Sequence, residues 1–276
     1  MGTVFVGTGC EPDEPEEAAQ EVDLVYVEWA CAIATTNLLA EVLESEMGYE
    51  VNMTSAEAGM AYSDLAAGGT DAFAAAWLPV THESYYNEYE GEFNNLGPVY
   101  EGARIGLVVP EYIDIDNIEE MDEIGDDLGW QITGIDPGAG IMQATEEALE
   151  VYDSLEDYDL LDSSDVGMTA ELDASVDNEE PIVVTGWTPH WKFAEYDLKF
   201  LDDPENVYGD AETINALTRL GLDEDLPEVY EFLENFHVTD DELGEVMAMI
   251  EDTGDERGSA AEWVEENQDV VEGWLP

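Results

Sequence analysis

The sequence predicts an α/β chain of two lobes, each a mostly parallel sheet flanked by helices. Three observations lead there. Short apolar runs rich in Val, Ile and Ala alternate with longer segments of helical periodicity, which is the pattern of parallel strands joined by crossover helices. The alternation comes in two separate blocks within 276 residues, the length of one large domain or two ordinary ones. A third segment, from Ala211 onward, reads as mostly helical and is expected to pack back on the first block.

In the first block, Asp23–Glu28 (DLVYVE) reads as a buried strand and Ile33–Glu46 as an amphipathic helix stopped by Gly48. Tyr49–Thr54 is a second strand. Ala56–Ala67 is a helix ending at Gly68-Gly69, and Asp71–Trp77 (DAFAAAW) is a third strand closed by Pro79. The second block opens with a strand over Arg104–Val109, ended by Pro110, and a short helix over Ile118–Ile124. A strand over Gln131–Ile135 runs through Asp136-Pro137-Gly138-Ala139-Gly140 into a helix from Ile141 to about Ser154. Ser164–Ser175 is helical, and Pro181–Thr185 (PIVVT) is a buried strand that ends at Gly186-Trp187. In the tail, Ile214–Arg219, Glu228–Phe236, Asp241–Ile250 and Ala260–Val271 read as helices. The lobes are expected to comprise residues 22–105 with 203–276, and residues 106–202. Hinges are expected near Gly102–Pro110 and Asp197–Pro204.

Charge is the most unusual bulk feature. Five Lys and Arg face 70 Asp and Glu, a formal net charge of −65. Self-repulsion at that charge opposes compaction in dilute buffer, but at 1 M salt the Debye length is only about 3 Å. The composition therefore suits a halophile. Acidic disorder does not fit, because 45% of the residues are hydrophobic and 10% aromatic. Nucleic acid is excluded as a partner, since a polyanion would be repelled and no basic patch exists to displace counterions. No run approaches the 18 or so apolar residues that a membrane-spanning helix needs.

Enzyme signatures are missing: no G-x-S-x-G elbow, no phosphate loop, no H-E-x-x-H and no C-x-x-C. Acidic pairs are so abundant that none singles itself out for acid–base work. Neither a metal nor a cofactor is expected. Instead, Trp stands at the C-terminal ends of strands: Trp29 after DLVYVE, Trp77 at the end of DAFAAAW, Trp187 after PIVVTG. Ligands of open α/β sheets sit outside those ends, so three Trp could converge on a cleft, although any one of them serves equally well in a core. His82 lies just beyond Trp77-Leu78-Pro79, where a capping or surface role competes with ligand contact. The Gly138-Ala139-Gly140-Ile141 turn opens a helix, whose free N–H groups suit an anion.

Four segments together carry a family resemblance: Val27-Glu28-Trp29, Ala76-Trp77-Leu78-Pro79-Val80-Thr81-His82, Gly134-Ile135-Asp136-Pro137-Gly138-Ala139-Gly140-Ile141-Met142 and Thr185-Gly186-Trp187-Thr188-Pro189-His190-Trp191. The chain resembles, from about residue 22 to its end, the glycine-betaine-binding proteins of ABC importers. That resemblance implies a two-lobed, periplasmic-binding-protein-like (type II) fold with the ligand between the lobes. It implies a cage of Trp29, Trp77 and Trp187 around a trimethylammonium group. The carboxylate would be held by the backbone N–H groups of Gly140 and Ile141 and by the His82 side chain, with His190 and Trp191 in structural roles. The implied partners are an ABC permease and its ATPase. Choline, carnitine or proline betaine are alternative ligands on the same fold. An enzyme acting on a small carboxylate, and a surface protein whose Trp are all core, are the readings from other classes.

The N-terminal run Val4-Phe5-Val6-Gly7-Thr8-Gly9-Cys10, followed by Glu11-Pro12-Asp13-Glu14-Pro15, resembles the end of a lipoprotein signal peptide. In that reading residues 1–21 are a signal remnant and acidic tether, Cys10 carries the lipid, and the domain sits on the extracellular face of the membrane. A charged n-region is missing and the apolar run is short, so an incidental Cys in an N-terminal extension is the alternative.

Overall fold

The computed structural model describes residues 20–276, so Cys10 and its tether lie outside the described residues. Nine strands form one continuous path of pairings, β2-β1-β3-β9-β4-β7-β5-β6, with β8 also on β4. The strands are β1 (Glu21–Tyr26), β2 (Glu50–Ser55), β3 (Ala72–Leu78), β4 (Phe93–Pro110), β5 (Gln131–Thr133), β6 (Asp159–Leu161), β7 (Val184–Thr188), β8 (Leu198–Phe200) and β9 (Glu212–Arg219). Among the described residues, seven helices of at least nine residues flank them: α1 (Ala30–Ser45), α2 (Ala58–Ala67), α3 (Gly140–Val151), α4 (Asp165–Asn178), α5 (Pro227–Asn235), α6 (Asp240–Thr253) and α7 (Glu256–Glu266).

Two lobes result. The first sheet holds β2, β1, β3, β9 and the N-terminal part of β4. The second holds the C-terminal part of β4 with β7, β8, β5 and β6. β4 belongs to both, because its partner changes from β9 to β7 between Ala103, opposite Glu212, and Arg104, opposite Thr188. The expected strand over 104–109 is only its second half. Gly97, Pro98 and Gly102 hide the first half in the sequence, and in the structure that half is pairing with repeated register shifts, which let a strand bend and accept Pro.

The sheets are mixed. Parallel pairing, expected for most of each sheet, holds for β1 with β2 and β3 and for β5 with β6 and β7, whereas every pairing of β4 and β9 is antiparallel. One expectation fails outright: Ile214–Arg219, read as helix, is the body of β9. Six residues cannot separate the two periodicities. What decides is position, between β3 and β4, where the five consecutive residues Ile214–Thr218 are buried. The last expected helix, Ala260–Val271, is broken at Asn267 into α7 and a single turn.

β3 (AFAAAWL) is buried along its whole length, as suits a strand covered by helices on both sides. Helix α1 is buried at eleven positions on most of its circumference, because α6 and α7 from the tail pack across it. Acids stay outside. Among the described residues the buried carboxylates are Asp71, Asp165 and Glu212, each with partners.

Candidate functional site

The three Trp singled out by the sequence line one small cavity of ≈ 20 Å³. Trp29 lies just beyond β1 as the N-cap residue of α1, Trp77 lies in β3 of the first lobe, and Trp187 lies in β7 of the second. All three are buried. Thr81 from the first lobe and Ile105, Ile135, Ala139, Gly140 and Ile141 from the second complete the wall. Strand ends place them, since each Trp sits where a chain leaves its sheet toward the cleft. Larger depressions lie elsewhere, and one of ≈ 550 Å³ is rimmed by the acids Glu28, Asp165, Asp173 and Glu251.

Gly140 and Ile141 form the first turn of α3, so their N–H groups have no partner within the helix. Gly140 is there for space: a Cβ on it would lie 2.1 Å from the Thr81 carbonyl oxygen of the opposite lobe. The Gly-rich turn thus presses directly on the other lobe.

His82 is fully buried and stands beside the cavity, its ring 5.8 Å from that of Trp29. Its Nδ1 accepts the Trp77 backbone N–H at 3.2 Å, which puts the proton of the neutral ring on Nε2. That Nε2–H has no hydrogen-bond partner among the described residues. Burial pushes the imidazole down to about 3, so at neutral pH it is an uncharged donor. The indole N–H groups of Trp77 and Trp187 are likewise buried without partners, while Trp29 Nε1 donates to Asp136 Oδ1 at 3.0 Å. The structure therefore brings Trp29, Trp77, Trp187, Gly140 and Ile141 to one cavity and sets His82 against it.

Several residues that matter here gave no sequence signal. Contacts between the lobes close the cavity: Trp29 to Asp136, Tyr85 Oη donating to the Gly138 carbonyl at 2.8 Å, and the Ala30 N–H donating to Asp165 Oδ2 at 2.9 Å. Asp165 Oδ1 also accepts His190 Nε2–H at 3.0 Å, and His190 Nδ1 accepts the Lys192 backbone N–H at 3.1 Å. The His190 ring packs edge-on against Trp187 with centroids 4.8 Å apart, which fixes the indole. Burial alone would raise the Asp165 carboxyl, but His190, Lys192 and the Ala30 N–H hold it below the usual carboxylate range. Burial and Lys192 push His190 down to about 4, so it is neutral. In a chain with 70 acids nothing distinguishes Asp165 by pattern; its burial does.

A family model described as the substrate-binding domain of ABC-type glycine betaine transport systems matches residues 20–266. The glycine betaine/carnitine transport binding protein GbuC of Listeria monocytogenes serotype 1/2a (strain 10403S) is 46% identical over 153 residues, which is 55% of this chain and 51% of that protein. The chain thus spans about half the length of that curated relative in the match. Lactococcal OpuAC, crystallised in a closed-liganded conformation with glycine betaine, superposes with a TM-score of 0.89 at 37% identity, covering 93% of this chain and all of that one. A choline-binding protein of an ABC transporter, in complex with choline, superposes with a TM-score of 0.85 at 26% identity, covering 92% and 91%.

Proposed function

Because the chain belongs to the family of substrate-binding domains of ABC-type glycine betaine transport systems, we propose that it captures glycine betaine between its lobes and delivers it to a permease driven by an ATPase. The observation that carries the ligand is the meeting of three buried indoles, from two lobes, on one cavity. A quaternary ammonium has no N–H to donate, so hydrogen bonding cannot select it, whereas an aromatic face attracts it. Each desolvated ring contributes roughly 0.5–2 kcal/mol. Micromolar affinity corresponds to about 8.2 kcal/mol, so methyl burial and the carboxylate end must supply the rest.

For that end, the Gly140 and Ile141 N–H groups open α3 toward the cavity and the His82 Nε2–H is a buried donor without a partner. A carboxylate placed there gains charge-assisted hydrogen bonds and the favourable end of the helix dipole. This favours a zwitterion over choline, which would leave those donors unanswered. Binding and closure are then one event, since Trp29 with Asp136 and Ala30 with Asp165 join only when the lobes meet. The lobes divide near residues 105 and 203.

We further propose that the protein works on the outer face of the membrane in molar salt, with Cys10 as a lipid anchor. No helix among the described residues is long and apolar enough to cross a membrane. Calorimetric titration with glycine betaine in molar KCl tests the ligand assignment, with Trp187→Ala expected to weaken binding at least tenfold while the far-UV spectrum stays unchanged. Equal affinity in a folded Trp187→Ala protein would remove that indole from the site.

A further inference from the structure

The chain has five cations against 70 acids, and four are placed conventionally. Lys199 meets Asp116 at 2.6 Å, Arg219 meets Asp71 and Asp225, Arg257 meets Glu41 and Glu44, and Arg104 lies over the half-buried Phe200 ring. Lys192 is different. It is fully buried, its Nζ has no hydrogen-bond partner among the described residues, and it lies 4.0 Å from the centroid of the Trp187 ring. Lys192 does not line the Trp cavity, whereas Trp187, over whose ring its ammonium sits, does.

We infer that Lys192 determines specificity: its ammonium, held behind Trp187 and balanced by Asp165, keeps the rear of the cavity near neutral and so favours zwitterions over purely cationic ligands. This rests on reading Trp187 as a wall of the ligand site. A cation on one face of an indole uses part of the ring's attraction and repels a second cation on the other face. Removing the Lys192 charge would leave the Asp165 carboxylate unbalanced. Choline, with a net positive charge, then gains the whole attraction. Glycine betaine gains it at its ammonium end and loses part at its carboxylate. The ratio of the two affinities therefore reads the Lys192 charge, and burial shields that charge from salt screening.

The groups facing Lys192 come from three elements: Asp165 on α4, Cys31 on α1, and His190 with Trp187 at the end of β7. Burial pushes Lys192 down to about 8, against the pull of Asp165 and Cys31. Cys31 is pushed up by burial to about 12, and His190 and His82 are held down to about 4 and about 3. Lys192 is thus the group of this cluster that changes charge between neutral and mildly alkaline pH.

Calorimetry with choline and with glycine betaine, in molar KCl at about pH 6.5 and about pH 9.5, brackets that change. The choline-to-betaine affinity ratio is expected to rise several-fold with pH in the wild type. In Lys192→Met it should already be raised at the lower pH and no longer move. A ratio unaffected by pH and by Lys192→Met, with both ligands still bound, overturns the role of Lys192 and leaves the ligand site standing. A folded wild type that binds neither ligand overturns the ligand site and the inference with it. Should Lys192→Met fail to fold, the wild-type comparison between the two pH values decides alone.

Discussion

At His82, burial fixes both tautomer and charge. Nδ1 is occupied by the Trp77 N–H, and the unfolded ring titrates near 6.5 while the folded one resists protonation until about 3. Between those values the unfolded chain binds a proton that the folded chain does not. Stability is therefore complete above pH 6.5 and is lost as the pH falls toward 3, by up to about 1.4 kcal/mol per pH unit from this one group. Denaturant midpoints in molar KCl at pH 7 and pH 5 should fall less in His82→Asn than in the wild type. Equal falls would mean that His82 is protonated in the folded state. The same substitution should weaken glycine betaine more than choline, since only the former has a carboxylate for Nε2–H.

Among the elements, the start of α3 is where packing and function meet. Gly140 has an ordinary helical backbone, so Ala there should be a good helix former and cost nothing locally. Across the lobes, however, its Cβ would meet the Thr81 carbonyl oxygen at 2.1 Å, closer than real atoms approach. Gly140→Ala is thus expected to leave thermal stability unchanged or slightly raised while glycine betaine affinity drops tenfold or more. Calorimetry beside a thermal melt checks both halves, and unchanged affinity would show that closure does not bring these backbones together. β4 matters for the same reason, since one strand shared by two sheets lets the lobes be joined without a separate linker at that crossing.

Over the whole molecule, charge and core are separated in space. Among the described residues the acids lie almost wholly on the surface, and the few buried carboxylates each have donors. Surface repulsion is the part of the electrostatics that salt screens, with a Debye length of about 10 Å at 0.1 M and about 3 Å at 1 M. Melting temperature should rise steeply with KCl and level off beyond about 1 M. A flat response would mean that self-repulsion does not limit this fold. Ligand affinity, set by short contacts to buried indoles, should vary much less over the same range.

Periodicity and punctuation in the sequence determined the order of most strands and helices, and the Trp29, Trp77, Trp187 and Gly140 positions that line the cavity. These are local properties, written in neighbouring residues: a Trp at a strand end, a Gly at a helix start. The tertiary structure decided what depends on distant partners. It made Ile214–Arg219 a strand by placing it between β3 and β4, and it carried β4 through both lobes. It selected Asp136 and Asp165 from 70 chemically equivalent acids by burying or bridging them across the cleft. Lys192, an ordinary residue in the sequence, became a buried charge behind an indole. Burial, pairing and charge balance are set by residues far apart in the chain, which no local pattern records.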